Sequence, residues 1–285
     1  MPVCTLVLLS LRVPPAELLS ALSKATPPVK PLVASRVVRW IVVPRSISAD
    51  ALLHRNVRWD LLLVLPPEAP ELPTNSAPMV AARNAVLLGT KEKRECPPRE
   101  GTAAGGDGTG GKTPESSENL ELSAELRDWV AEWGGDGREG ENPVSMLNLL
   151  AFEEGMKDTY IKYGEEFAAR VGRKRGGVAK ITGVVVEDGG GRGLGGPGGE
   201  ESRGGGGGGA GAGKGKADGT VNKWDQIAIA HYPSIRHFAD MLAAEDYQEV
   251  NMRYRVPSLK DTFILCTTEV GAPWGEGGNE KGSKL

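Results

Sequence analysis

Pro143-Val-Ser-Met-Leu-Asn-Leu-Leu-Ala-Phe152 and Trp224-Asp-Gln-Ile-Ala-Ile-Ala-His-Tyr232 are the two stretches on which the fold turns. Each is a short apolar run of strand length. Between them, after Gly155, Met156, Tyr160, Tyr163, Phe167 and Val171 recur at spacings of four, three, four and four, which is one face of a helix. Arg170, Arg173, Lys174 and Arg175 crowd the end of that helix and complement its dipole, and Gly176-Gly177 stops it. Val178 to Glu187 is rich in β-branched residues and predicts a second strand.

After Tyr232, Pro233-Ser234 supplies an N-cap for a helix that turns Ile235, Phe238 and Leu242 inward. Further turns run through Tyr247 and Val250 to Arg255, and Pro257 ends them. Thr262 to Thr268 completes a β-α-β-β-α-β order over 143–270. Such an order, ferredoxin-like and α+β in class, sets both helices on one face of an antiparallel sheet. The opposite face, on the strands of Phe152, Ile229 and Leu265, is also apolar and needs a matching sheet. That sheet comes from a second copy or from the first half of this chain, and the expected result is an α+β barrel enclosing a chamber.

The first half offers such a sheet. Cys4 to Leu11 and Leu32 to Val43 read as strands flanking a helix from Ala16 to Ala25, whose Leu18, Leu19 and Leu22 share a side. A helical turn near Asp50 to His54 leads to a strand at Leu61 to Leu65, and prolines from Pro66 to Pro78 interrupt the chain after it. Residues 1–90 therefore outline a degenerate half-barrel. A low-complexity linker spans 91–119, and Ser123 caps a bracing helix within 120–142 that carries Leu126, Trp129, Val130 and Trp133 on one face. Between Asp188 and Gly219, 18 of 32 positions are glycine, so that insertion has no side chains with which to build a core and reads as disordered. A flexible tail covers 271–285.

Composition removes several classes of function. A net charge of −3 gives no long-range attraction to nucleic acid or anionic lipid. Cys4, Cys96 and Cys266 form no CxxC pair, which argues against a disulfide framework or zinc site. His54, His231 and His237 show no metal-binding spacing, and no apolar run is long enough for a membrane span. Gly106 to Thr113 fits the letters of a phosphate loop, but no hydrophobic strand precedes it and Pro114 comes directly after, so it reads as low complexity. Neither a metal nor an organic cofactor is expected.

Several short motifs together resemble a known family. They are Leu147-Asn148-Leu149-Leu150-x-Phe152, Tyr160-x-x-Tyr163-Gly164, Gly176-Gly177, Trp224-Asp225, Tyr232-Pro233-Ser234-x-x-x-Phe238 and Asp246-Tyr247-Gln248. In this order they are similar to the domain of unknown function 1330 family of the dimeric α+β-barrel superfamily. The resemblance covers 143–270 only and implies a pocket for small organic molecules between sheet and helices. Two departures stand out. The glycine tract replaces a brief turn, and Arg253-Tyr254-Arg255 stands where the family tends to show His-Arg. Alignment from Leu259-x-Asp261 places Arg255 on that arginine, whereas alignment from Tyr247 is one residue out.

Polar residues set in apolar elements mark the candidate site, because buried polar groups either satisfy one another or face a pocket. Asn148, Tyr163, Tyr232 and Tyr247 are the candidate ligand-binding residues. For catalysis, Asp225 or His231 is the candidate base, and Arg255 (or Asn148) the group that holds an anionic or enolate oxygen. The rival expectation is a non-catalytic interaction protein whose barrel only dimerises. Finally, Ser283-Lys284-Leu285 is the peroxisomal import tripeptide, which makes the import receptor a partner and the peroxisomal matrix the expected location. A homodimer or an intrachain pseudo-dimer is the expected assembly.

Overall fold

The structure is a computed structural model that describes residues 3–47, 59–69, 71–73, 79–93, 119–136, 138–188 and 224–270. His54, Cys96, the 106–113 string, nearly all of the glycine tract and Ser283-Lys284-Leu285 lie outside the described residues.

The elements in chain order are β1 (Val3–Leu11), α1 (Pro15–Ser23), β2 (Val33–Val42), β3 (Leu61–Leu65) and β4 (Val80–Lys93) in the first half. The second half has α2 (Ala124–Trp133), β5 (Val144–Phe152), α3 (Lys157–Glu166), β6 (Val178–Asp188), β7 (Gln226–Tyr232), α4 (Ile235–Ala243), α5 (Glu245–Val250) and β8 (Leu259–Glu269). The eight strands close into one antiparallel barrel in the order β1-β3-β2-β8-β5-β7-β6-β4. Each half contributes four neighbouring strands in the same internal order, β4-β1-β3-β2 and β8-β5-β7-β6. The halves join along two seams, β2 with β8 and β4 with β6. The chain thus supplies its own second sheet.

Closure depends on β4, which the sequence conceals. Its Ala81-Ala82-Arg83-Asn84 start and Lys91-Glu92-Lys93 end break any two-residue hydrophobic period, and the composition from Lys91 onward is that of a linker. Long-range pairing makes it a strand all the same: β1 takes one edge along Val3 to Leu11, and β6 takes the other.

Alternation along the strands sorts side chains into three cores. Leu6, Leu8, Leu62, Val64, Leu147, Leu149, Ile229 and Leu265 meet inside the barrel, where Trp40 also packs edge-on to Phe263 at 4.7 Å. Trp224, which precedes β7 and escapes its alternation, also joins this interior. The expected chamber is therefore filled with side chains. Outside the first half, Leu18, Leu19 and Leu22 of α1 cover Val7, Leu9, Leu61, Leu63 and Leu65. Outside the second, α2, α4 and α5 cover Val144, Met146, Ile264 and Cys266.

The bracing helix α2 is held locally and at a distance. Ser123 Oγ accepts from Leu126 N at 3.1 Å, and the Arg39 guanidinium on β2 lies 4.6 Å over Trp129 while donating to Glu125 at 2.9 Å. Ser234 occupies the N-cap position of α4 but makes no capping bond, and its hydroxyl instead hydrogen-bonds His237 Nδ1 at 2.8 Å.

Two glycines of the second half make opposite demands. A Cβ on Gly164, inside α3, meets nothing, whereas Gly176 has φ +68° and a Cβ there lies 2.6 Å from Pro233 Cγ. Gly164→Ala is expected to raise stability by about 1 kcal/mol, the helix-propensity difference. Gly176→Ala is expected to lower it by more than about 1 kcal/mol, through backbone strain and clash. Denaturant midpoints at unchanged slope check both signs.

Candidate functional site

Helix α3 sits unusually for an element that comes directly after a core strand. It carries no buried residue. It packs chiefly against the turn after it and the 251–258 segment rather than against strands. Behind it, Asn148 in the centre of β5 and its neighbours Ala228 and Ala230 on β7 are only half-buried, although they lie on the helix-covered face. The outer face of β5 and β7 is therefore incompletely covered at these three positions.

Tyr160 and Tyr163 of α3 are half-buried, with deeply placed hydroxyls. Tyr232 and Tyr247 come from β7 and α5 and are buried. Burial, above all, raises all four phenols well beyond their ordinary value. The nearby Arg255 guanidinium opposes that rise in each, without reversing it, and at physiological pH they are neutral hydroxyls. Tyr232 spends its hydroxyl on Met241 Sδ at 3.3 Å. The Tyr247 hydroxyl faces that of Tyr163 but has no partner in hydrogen-bonding geometry.

Arg255 is the centre of the group. It is 2% exposed, approaches the Tyr160 hydroxyl, and donates one long hydrogen bond of 3.4 Å to Thr262 Oγ1. Among the described residues no carboxylate pairs with it. Its position comes from a π-turn at Asn251–Arg255, which adds a residue to the helix without a loop. Tyr254, by contrast, faces outward, and the Arg253 guanidinium sits 5.1 Å from its ring centre.

The remaining sequence candidates lie elsewhere. Asn148 lies half-buried on the outer face of β5, its amide donating to Met146 O at 2.9 Å. Asp225 is exposed at a strand end, where its carboxylate accepts from Phe152 N at 2.8 Å. His231 points into the barrel, on the opposite side of the sheet from Arg255. There its Nδ1 shares a 3.1 Å hydrogen bond with Ser145 Oγ, beside an ion pair of Lys180 and Glu269. The structure thus brings Tyr163, Tyr232, Tyr247 and Arg255 together with Asn148 nearby, and sets Asp225 and His231 apart from them.

Tyr160 and Thr262 join the site without having been nominated by the sequence. Tyr160 lies in plain view within the α3 stripe, where an aromatic at helical spacing reads as packing. Thr262 carries no signal, since a threonine at a strand start is ordinary.

On the other side of Arg255, a crevice of about 170 Å³ runs between the end of β2 and the start of β8, lined by residues that include Val42, Arg45 and Asp261. The Asp261 carboxylate there is already committed. It accepts from Ser46 N and Ile47 N at 2.7 Å each, from Arg45 N at 3.1 Å and from Ser46 Oγ at 3.0 Å. Burial alone would raise Asp261, but these donors hold it below its ordinary value. Cys266, fully buried and pushed up to about 12 by that burial, is inert. No group of three or more metal-ligating side chains occurs among the described residues.

No family model and no curated protein matches this chain. Among solved structures, a protein of unknown function from Rhodopseudomonas palustris is 22% identical over 50% of this chain and 93% of its own, with a TM-score of 0.32. A "putative monooxygenase" from Lactobacillus acidophilus is 6% identical over 93% of each chain, with a TM-score of 0.39. Another so described, from Fusobacterium nucleatum, is 6% identical over 94% of this chain and 93% of its own, at 0.41.

The buried imidazole gives the barrel an acid sensitivity. Desolvation first, then the Lys180 ammonium, pushes His231 down from 6.5 to about 4, against the pull of Glu269. Below pH 6.5 the unfolded imidazole takes a proton that the folded one refuses until about pH 4, so falling pH destabilises the fold across that window. His231→Gln removes this contribution. Its melting temperature is expected to fall less than that of the wild type between those two pH values.

Proposed function

We propose that the protein binds a small organic acid, with the anionic oxygen on Arg255. The observation that carries this reading is a guanidinium 2% exposed that meets only neutral hydroxyls, Tyr160 and Thr262, and has no carboxylate partner among the described residues. A guanidinium does not shed its charge in a protein, and an uncompensated buried charge is costly. A bound oxyanion compensates it and also satisfies the orphaned Tyr247 hydroxyl. The neutral phenols of Tyr160 and Tyr163 add donors.

Binding is the function this geometry favours over turnover, since neither Asp225 nor His231 reaches the anion site. The rival, a barrel that serves only as an interaction scaffold, draws support from the packed barrel interior. We further propose membership of the domain of unknown function 1330 family for the second half, on its ordered motifs from Leu147 to Gln248. We also propose import into the peroxisomal matrix through Ser283-Lys284-Leu285.

Arg255→Met separates the two readings, because methionine matches much of the volume and leaves no charge to compensate. A set of small carboxylates at a hundredfold excess over Kd is expected to raise the wild-type melting temperature by about 5 °C. The variant should fold at least as stably and show no such rise. A wild type indifferent to every acid would favour the scaffold. A fluorescent fusion of the full chain should lose its punctate peroxisomal pattern when the last three residues are deleted; an unchanged pattern rejects the address.

A further inference from the structure

We infer that the acid is a short diacid, its second carboxylate held by Arg45 and Lys260 at the mouth of the crevice between β2 and β8; the inference rests on Arg255 being the anion anchor. That crevice, about 170 Å³ in volume, is lined by Arg255 and Thr262, the two residues joined by the 3.4 Å hydrogen bond. A bond of that length is weak, and a carboxylate in the crevice offers the guanidinium a shorter, charge-assisted one. Arg45 and Lys260 also line the crevice and are exposed, whereas Arg255 is 2% exposed. Positive charge therefore runs from a buried end to an open one. A molecule charged at both ends matches that distribution.

The wall that carries Arg45 is fixed in place. Asp261 accepts from the backbone N–H groups of Arg45, Ser46 and Ile47 and from Ser46 Oγ, so three consecutive residues beyond β2 are tied to the start of β8. The same bonds occupy the one carboxylate among the residues that line the crevice. Three basic residues thus surround a single acid whose oxygens already have donors, and the crevice favours an anion over a cation. Its volume equals that of about five or six water molecules, which suits a short chain with a carboxylate at each end and excludes a fatty acid or a nucleotide. Arg45 follows β2 and Lys260 lies on β8, so the bound diacid bridges a seam between the two halves.

Titration calorimetry on the full-length protein with succinate and with butyrate tests this, since the two share a chain length and differ by one carboxylate. Succinate is expected to bind roughly three- to thirtyfold more tightly, the range that two partly exposed charge pairs supply. In the double variant Arg45→Gln, Lys260→Gln the ratio should fall toward one while both acids still bind. That variant leaves the Arg45 N–H on Asp261 in place. In Arg255→Met both acids should be lost. Equal affinities in the wild type, a preference for butyrate, or a ratio unchanged in the double variant overturn the diacid inference and leave the anion site standing. Absence of binding by both acids overturns the anion site and this inference with it.

Discussion

Leu147, Leu149, Ile229 and Leu265 on one sheet press against Leu6, Leu8, Leu62 and Val64 on the other, and this contact organises the molecule. A four-stranded sheet that is apolar on both faces cannot stand alone with helices on one side, because its second face would meet water. Pairing the edges as well, β2 to β8 and β4 to β6, removes every free strand edge from the ring. The interior so formed is packed rather than hollow. Any site must therefore lie on the outer faces, where helices rather than strands decide what is covered.

The two outer faces are covered differently. On the first half, α1 seals a mostly apolar surface with three leucines. On the second, α4 and α5 bury their share of the sheet, while α3 stands off and leaves polar and small residues half-exposed. Arg255 and the Tyr247 hydroxyl lie together beneath the helix that is least held down.

Much of the second half is legible because its signals are local. The α3 stripe, the Gly176-Gly177 stop and the apolar runs of β5, β7 and β8 each declare themselves within about ten residues. The first half shows its strands at β1, β2 and β3 but hides β4, whose place is set by partners far away in sequence rather than by its own pattern. Within the site, the tyrosines and Arg255 can be nominated as polar residues in apolar settings. Which of them share a space cannot be read the same way, because sidedness depends on irregularities: the π-turn before Arg255 and the bulge beside Lys180 in β6. His231 is the instructive residue. One alternation step separates it from Tyr232, and that step puts the sheet between it and the guanidinium.

Closing the barrel within one chain also changes what selection can reach. In a ring built from two identical copies, any substitution appears twice, so a costly polar residue placed for a ligand must be tolerated on both sides. Here the halves are covalently joined yet genetically independent. The first half packs a mostly apolar outer face, and the second carries the buried Arg255 and its tyrosines. The expected stoichiometry is a single equivalent of ligand per polypeptide, with a Hill coefficient of one and no half-of-the-sites behaviour.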